Sequence, residues 1–172
     1  MERGESSMLI REINLEDAKR FNNLIKTVEA EATYMMMDAG ERETTPEQQK
    51  EQIKRICHQN NSTILVAENA GDLVGYLLAI GGDTKRTKHS AYIVIGLLKR
   101  YRGKGIGTAL FQKLEEWAKR SRISRLELTV VTKNEAGVAL YKKSGFEIEG
   151  IKRNSLLIDG TLFDEYYMSK LL

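Results

Sequence analysis

The chain of 172 residues has one cysteine, Cys57, and one proline, Pro46. One thiol can neither close an internal disulfide nor build a zinc site from several thiolates. Two histidines, His58 and His89, are too few for a His-rich metal site, so no metal is expected. No Pro-rich linker, internal repeat or low-complexity stretch divides the chain. The expectation is one domain over residues 8–172 behind a loose tail of residues 1–7. No apolar run approaches the ~18 residues of a membrane span. The polar start, Met1-Glu2-Arg3-Gly4-Glu5-Ser6-Ser7, lacks the apolar centre of a signal peptide. These absences point to a soluble, cytoplasmic protein. An excess of one charge is also missing: 27 Lys plus Arg against 24 Asp plus Glu leaves +3. That gives no basis for a nucleic-acid binder, and no aromatic residues interleave the basic runs.

What is present is an ordinary globular balance, 41% hydrophobic and 30% charged. Met8 to Ile13 reads as a strand. A helix starting at Asn14 or Asp17 repeats Ala18, Phe21, Ile25 and Val28 at helical spacing. Glu29 to Glu43 has no clear period and holds Met35, Met36 and Met37, which suit a core gap or an apolar pocket. Thr45-Pro46-Glu47-Gln48 combines a capping Thr, Pro at the first helical position and Gln three after the cap. That helix runs to about His58 and buries Ile53, Ile56 and Cys57. Thr63–Glu68 and Leu73–Ile80 form a hairpin about Asn69-Ala70-Gly71-Asp72. A basic loop, Lys85 to His89, leads to a third apolar run, Ser90–Leu98. After a glycine-rich turn comes an amphipathic helix with Ile106, Leu110, Leu114 and Trp117 on one face. Arg125–Val131 alternates as a strand, and Asn134–Ser144 reads as a helix stopped by Gly145. Phe146–Ile158 and Phe163–Leu171 are two long strands joined at Asp159-Gly160. This order predicts a mixed α/β fold. Its one sheet has about seven strands, mostly antiparallel with one parallel crossover, flanked by about four helices.

The turn Arg102-Gly103-Lys104-Gly105-Ile106-Gly107-Thr108 lies between an apolar strand and a helix. Glycines leave amide N–H groups uncovered, and the helix start adds free N–H groups and the positive end of a dipole. Together with Arg102 and Lys104 they make an anion site suited to a pyrophosphate. A plain strand-to-helix turn would use the same glycines. The spacing fits neither a P-loop nor a dinucleotide fingerprint, because positions 98, 108 and 110 are Leu, Thr and Leu.

Two elements in order carry a resemblance. Arg102, Gly105 and Gly107 fit Arg/Gln-x-x-Gly-x-Gly/Ala after an apolar strand. Asn134 to Phe146 fits Asn-x-x-Ala-x-x-Leu-Tyr-x-x-x-Gly-Phe, and the likeness continues through Glu149-Gly150 to Asp164-Glu165-Tyr166-Tyr167-Met168. From about His89 onward the chain resembles the Gcn5-related N-acetyltransferases, in particular bacterial members that acetylate amino acids or polyamines. It departs from them at Lys99, where many have proline. It departs again at Gly137, where alanine is usual, and at Tyr92, where many carry an acid. The resemblance implies acetyl-CoA as cosubstrate, held by Arg102, Gly103, Lys104, Gly105, Ile106, Gly107 and Thr108. It implies a splayed strand whose end, at Leu97 and Leu98, meets the pantetheine and thioester. It also implies that Asn134 binds the cofactor and that Tyr141 acts as general acid.

The residues fit that chemistry. Asn134 and Tyr141 are seven apart, two helical turns, and so share a face. Asn134 can hydrogen-bond an amide-rich chain, while Tyr141 can reach the sulfur or simply pack on Phe146. An alkylammonium has no lone pair and must lose a proton before it attacks. Candidate bases are Glu29, Glu31, Asp38, Glu41, Tyr92 and His89, though acids in such a region are more often solvated charges. Cys57 has no activating partner, which favours direct transfer over an acyl-enzyme. Lys142-Lys143 and Arg120-Ser121-Arg122 read as solvated faces. The expected acceptor is a small-molecule amine. The alternatives are a protein N-terminal acetyltransferase or a CoA-binding sensor without turnover. Tyr166, Tyr167, Met168, Leu171 and Leu172 suggest an apolar edge suited to a homodimer.

Overall fold

A computed structural model describes residues 8–172; the tail expected at residues 1–7 lies outside the described residues. Seven strands form one sheet in the order β1-β2-β3-β4-β5-β7-β6. They are β1 (Met8–Glu12), β2 (Thr63–Asn69), β3 (Asp72–Gly81), β4 (Ser90–Leu97), β5 (Arg125–Val131), β6 (Glu147–Ile158) and β7 (Thr161–Leu171). Every pairing is antiparallel except β4 with β5. The helices are α1 (Ala18–Glu31), α2 (Pro46–Cys57), α3 (Ile106–Arg120) and α4 (Glu135–Lys143). The mixed sheet expected from the element order is therefore present.

Alternation along the strands supplies two cores. Leu65 and Ala67 of β2, with Ala91 and Ile93 of β4, face the side covered by α3, against Leu110, Leu114 and Trp117. Ile64 and Val66 of β2 and Tyr76 of β3 face the other side. There Phe21, Ile25 and Val28 of α1 and Ile53 and Ile56 of α2 cover them. Helix starts follow the predicted chemistry. Thr45 Oγ1 accepts from Gln48 N at 3.2 Å, and Thr45 N donates to Gln48 Oε1 at 2.9 Å. Asn14 caps a short 3₁₀ turn, Leu15–Asp17, that leads into α1. Asp17 is buried and receives Arg11 at 2.7 Å and Arg20 at 2.6 Å, which ties β1 to α1.

Several expectations change. Helix α1 runs on to Glu31, so Glu29 and Glu31 are helical, and irregular chain begins at Ala32. Cys57 is exposed rather than buried. The inward stripe of α2 is Gln49, Ile53 and Ile56, and Cys57 falls about 70° to one side of it in the last turn. Its thiol is held above the ordinary value by partial desolvation and by Glu12. Tyr166 and Met168 are not edge residues, because both point into the α3-side core. Strand β6 is not smooth. Its register against β7 slips between Ile148 and Gly150 and again between Lys152 and Leu156, with Asn154 at φ +49°.

Candidate active site

Strands β4 and β5 pair only at Ser90–Arg125, Ala91–Leu126 and Tyr92–Glu127, and then part. Beyond that point β4 still pairs with β3 as far as Leu97. Antiparallel ladders alternate, so the observed bonds Gly82 N to Ser90 O and Leu98 N to Val74 O assign the even-numbered residues of β4 to β3. The odd-numbered Ile95 and Leu97 therefore turn their N–H and C=O toward β5, which gives them no ladder partner. This is the expected splay, and it opens toward the C-terminal ends of both strands. Leu98 differs from Ile95 and Leu97 in having both backbone groups engaged within the protein. Its N–H is bonded to Val74 and its C=O accepts from Tyr101 N at 2.9 Å, which leaves only its side chain as a wall.

The glycine turn follows directly. Gly103 and Gly105 have φ of +72° and +84°, and a Cβ on either would meet no atom of the protein within 4 Å. The cradle is therefore open on its outer side. Gly105 caps α3 without a side chain, and Ala109 N to Gly105 O is the first α-helical bond. The N–H groups of Ile106, Gly107 and Thr108 are left for a ligand. Gly107 carries a second constraint: a Cβ there would lie 2.8 Å from Leu140 Cδ2 of α4. Arg102 and Lys104 are exposed, and Lys104 Nζ sits over the Tyr101 ring at 5.5 Å, as does Arg100 at 5.2 Å. An open glycine cradle, an uncapped helix start and an unpaired strand edge together fit the pyrophosphate and amide-bearing arm of CoA.

Asn134 is the N-cap of α4, its Oδ1 accepting from Gly137 N at 3.0 Å, so only Nδ2 remains to donate outward. A Cβ at Gly137 would come within 2.6 Å of Asn134 Nδ2, so this glycine leaves that side chain room. Two turns on, the half-buried Tyr141 ring stands edge-on to Phe111 at 5.8 Å and to Phe146 at 6.3 Å. Burial, and secondarily the nearby Tyr92, pushes its phenol up to about 12. It is protonated at neutral pH and can donate.

The opposite face of the sheet holds the candidate bases. Glu29 is buried and claimed by Arg42, Nε at 2.8 Å and Nη2 at 3.0 Å. Glu31 accepts from Lys99 N at 3.2 Å, which fastens the end of α1 beside the end of β4. Glu41 accepts from the backbone of exposed Asp38. His89 precedes β4 at its far end, about 26 Å along the strand from Leu97, and is not at the site. Tyr92 reaches across the start of the gap to Thr129 Oγ1 at 2.7 Å. Tyr76 was missed by the sequence reading. A Cβ on Gly96 would lie 2.7 Å from its ring, so the ring crosses β4 at that glycine. Burial, then Glu29, raises its phenol well above the ordinary value. Of the three methionines, Met35 packs on the α1-side core, while Met36 is 78% exposed. The irregular chain from Ala32 to Thr45 passes over the sheet, and Tyr34 meets Phe163 of β7 edge-on at 5.7 Å.

Comparison with known proteins agrees with this geometry. The model of the Acetyltransferase (GNAT) family matches residues 28–146. The L-amino acid N-acetyltransferase AaaT of Escherichia coli is 36% identical over 118 residues, 68% of this chain and 73% of that protein. The N-alpha-acetyltransferase RimI of Mycobacterium tuberculosis is 33% identical over 105 residues, 60% of this chain and 63% of that protein. A GNAT-family acetyltransferase of Streptococcus pneumoniae superposes with a TM-score of 0.93 at 33% identity, over 96% of this chain and all of its own. With the cradle, the splayed strands and the tyrosine all in place, the chain belongs to the GNAT family of N-acetyltransferases, enzymes that take their acetyl group from acetyl-CoA.

Proposed function

We propose that the protein acetylates the primary amine of a small metabolite, such as an amino acid or a polyamine, by direct transfer within a single domain. The observation that carries the small acceptor is the roof made by residues 32–45. Tyr34 on Phe163 closes one side of the face where an amine would enter, and a peptide would need that side open. Similarity to an L-amino acid N-acetyltransferase supports the same reading. Acetyl-CoA supplies the acetyl thioester. The amides of Ile106, Gly107 and Thr108, with Arg102 and Lys104 nearby, hold the pyrophosphate, and the unpaired groups of Ile95 and Leu97 and Asn134 Nδ2 hold the arm. Leu97 N–H, already turned into the gap, donates to the oxyanion that develops on the acetyl carbonyl. Tyr141 gives its proton to the departing sulfur. Cys57, at the end of α2 beside Glu12 of β1, has no part in the transfer.

We also propose that the protein is cytoplasmic and a homodimer joined through the β6–β7 hairpin. Ile151, Leu157, Leu162, Tyr167, Leu171 and Leu172 are exposed there. Thiol release over free amino acids, spermidine and an Ala-initiated peptide tests the acceptor. Turnover of the free amines is expected. Turnover of the peptide alone would assign a protein N-terminal acetyltransferase, and CoA binding with no turnover would assign a sensor.

A further inference from the structure

Among the described residues, three carboxylates are buried: Asp17, Glu29 and Glu165. Asp17 is held by Arg11 and Arg20, and Glu29 by both arms of the Arg42 fork. Glu165, 9% exposed, has no cation within 4 Å among the described residues. It accepts one hydrogen bond, from Ser155 Oγ at 2.7 Å. Lys152, directly opposite on β6, is exposed and makes no ion pair with it. A buried anion with a single neutral partner is costly, so the missing countercharge calls for an explanation.

Its place in the sheet supplies one. Glu165 pairs with Val131, the last residue of β5, one strand from the gap at its wide end. The even-numbered Tyr166 and Met168 face the α3 side, so Glu165 faces away from it, as Tyr92 and Thr129 do. Phe163, its neighbour on that face, is the residue covered by Tyr34 of the roof. Ser155 reaches Glu165 because the slip in β6 between Lys152 and Leu156 throws residues 153–155 out of register. A carboxylate is thus fixed beneath the roof, beside the gap, with no ion pair within 4 Å among the described residues.

We infer that Glu165 is the counter-ion of the acceptor's ammonium group and the first stop of the proton that group must lose. The inference rests on the amine-acceptor reading above. One N–H proton passes to the Glu165 carboxylate, leaving a lone pair on nitrogen. That pair bonds the acetyl carbonyl carbon as the C–S bond breaks, and Tyr141 protonates the sulfur. The second N–H proton restores Tyr141 through solvent, and Glu165 releases its own proton to water. One amide, one thiol and one free proton result.

The test uses the full chain with Glu165→Gln, Glu165→Asp and, for comparison, Glu29→Gln. Because Glu165 makes no close ion pair, Glu165→Gln is expected to keep or raise Tm and to leave CoA affinity within about twofold. Its kcat/KM on whichever amine is turned over is expected to fall by about 10²-fold, with Glu165→Asp in between. Glu29→Gln strands Arg42 and is expected to lower Tm. n-Propylammonium chloride, against equal sodium chloride, is expected to raise the Tm of the parent and not of Glu165→Gln. Near-parental turnover in Glu165→Gln would overturn the inference. So would a Tm loss like that of Glu29→Gln, or equal propylammonium protection in both. If no amine in the panel is turned over while CoA binds, the small-amine reading fails. The propylammonium comparison then still decides Glu165, because absent protection in the parent also overturns it.

Discussion

A phenol that packs and a phenol that donates look alike in a static contact list, and Tyr141 has both sets of credentials. Its ring is wedged against Phe111 and Phe146, and its hydroxyl is held protonated by burial. Tyr141→Phe separates the two, because it removes only the oxygen. We expect kcat to fall toward ~10²-fold, with CoA affinity and Tm unchanged, read by steady-state kinetics, calorimetry and thermal melts. Unchanged kcat with chemistry rate-limiting would leave Tyr141 as packing alone. This residue and Asn134 were legible because their role depends on spacing along one helix. Glu165 was not. In sequence it is one member of Asp164-Glu165-Tyr166-Tyr167-Met168, and the fact that sets it apart, the missing cation, exists only once seven strands are assembled. Tyr76 was hidden likewise, since its position depends on Gly96, a glycine on the neighbouring strand.

Between elements, the two glycines of the turn that look equivalent in sequence do different work. Gly105 adopts φ +84° with open space where a Cβ would stand, and Gly107 adjoins Leu140 of α4. Gly105→Ala should therefore cost about 1–3 kcal/mol of backbone strain and place a methyl group in the cradle, so that CoA affinity falls further than stability does. Gly107→Val should act the other way. It separates α3 from α4, lowers Tm and disturbs Tyr141 along with Leu140. Calorimetry and melting of the two variants side by side would show the same order in both if the two glycines served the ligand equally. The turn's place between strand and helix could be read from the sequence. The division of labour could not, because it depends on how closely α4 returns to α3.

At the scale of the whole molecule, the order of elements was legible because hydrophobic period and turn residues are local. The hairpin at Asp159-Gly160 is an example, its two residues at φ +47° and +77°. The apolar surface was only partly legible, since inward and outward residues alternate and a slip in β6 reverses the count. Leu157, 69% exposed, and Leu162, 54% exposed, face each other near that hairpin. Light scattering should give twice 19.5 kDa for the parent and a monomer for Leu157→Lys with Leu162→Lys. A parent monomer at working concentration would remove the dimer.

The parting of β4 from β5 leaves an edge strand in the middle of a sheet, with one side of β4 satisfied and the other open. Hydrogen exchange should record it as an alternation. Without cofactor, the amides of Val94, Gly96 and Leu98 should exchange slowly, and those of Ile95 and Leu97 quickly. Adding CoA should slow the odd set and leave the even set unchanged, so that the ligand is detected as a missing strand restored.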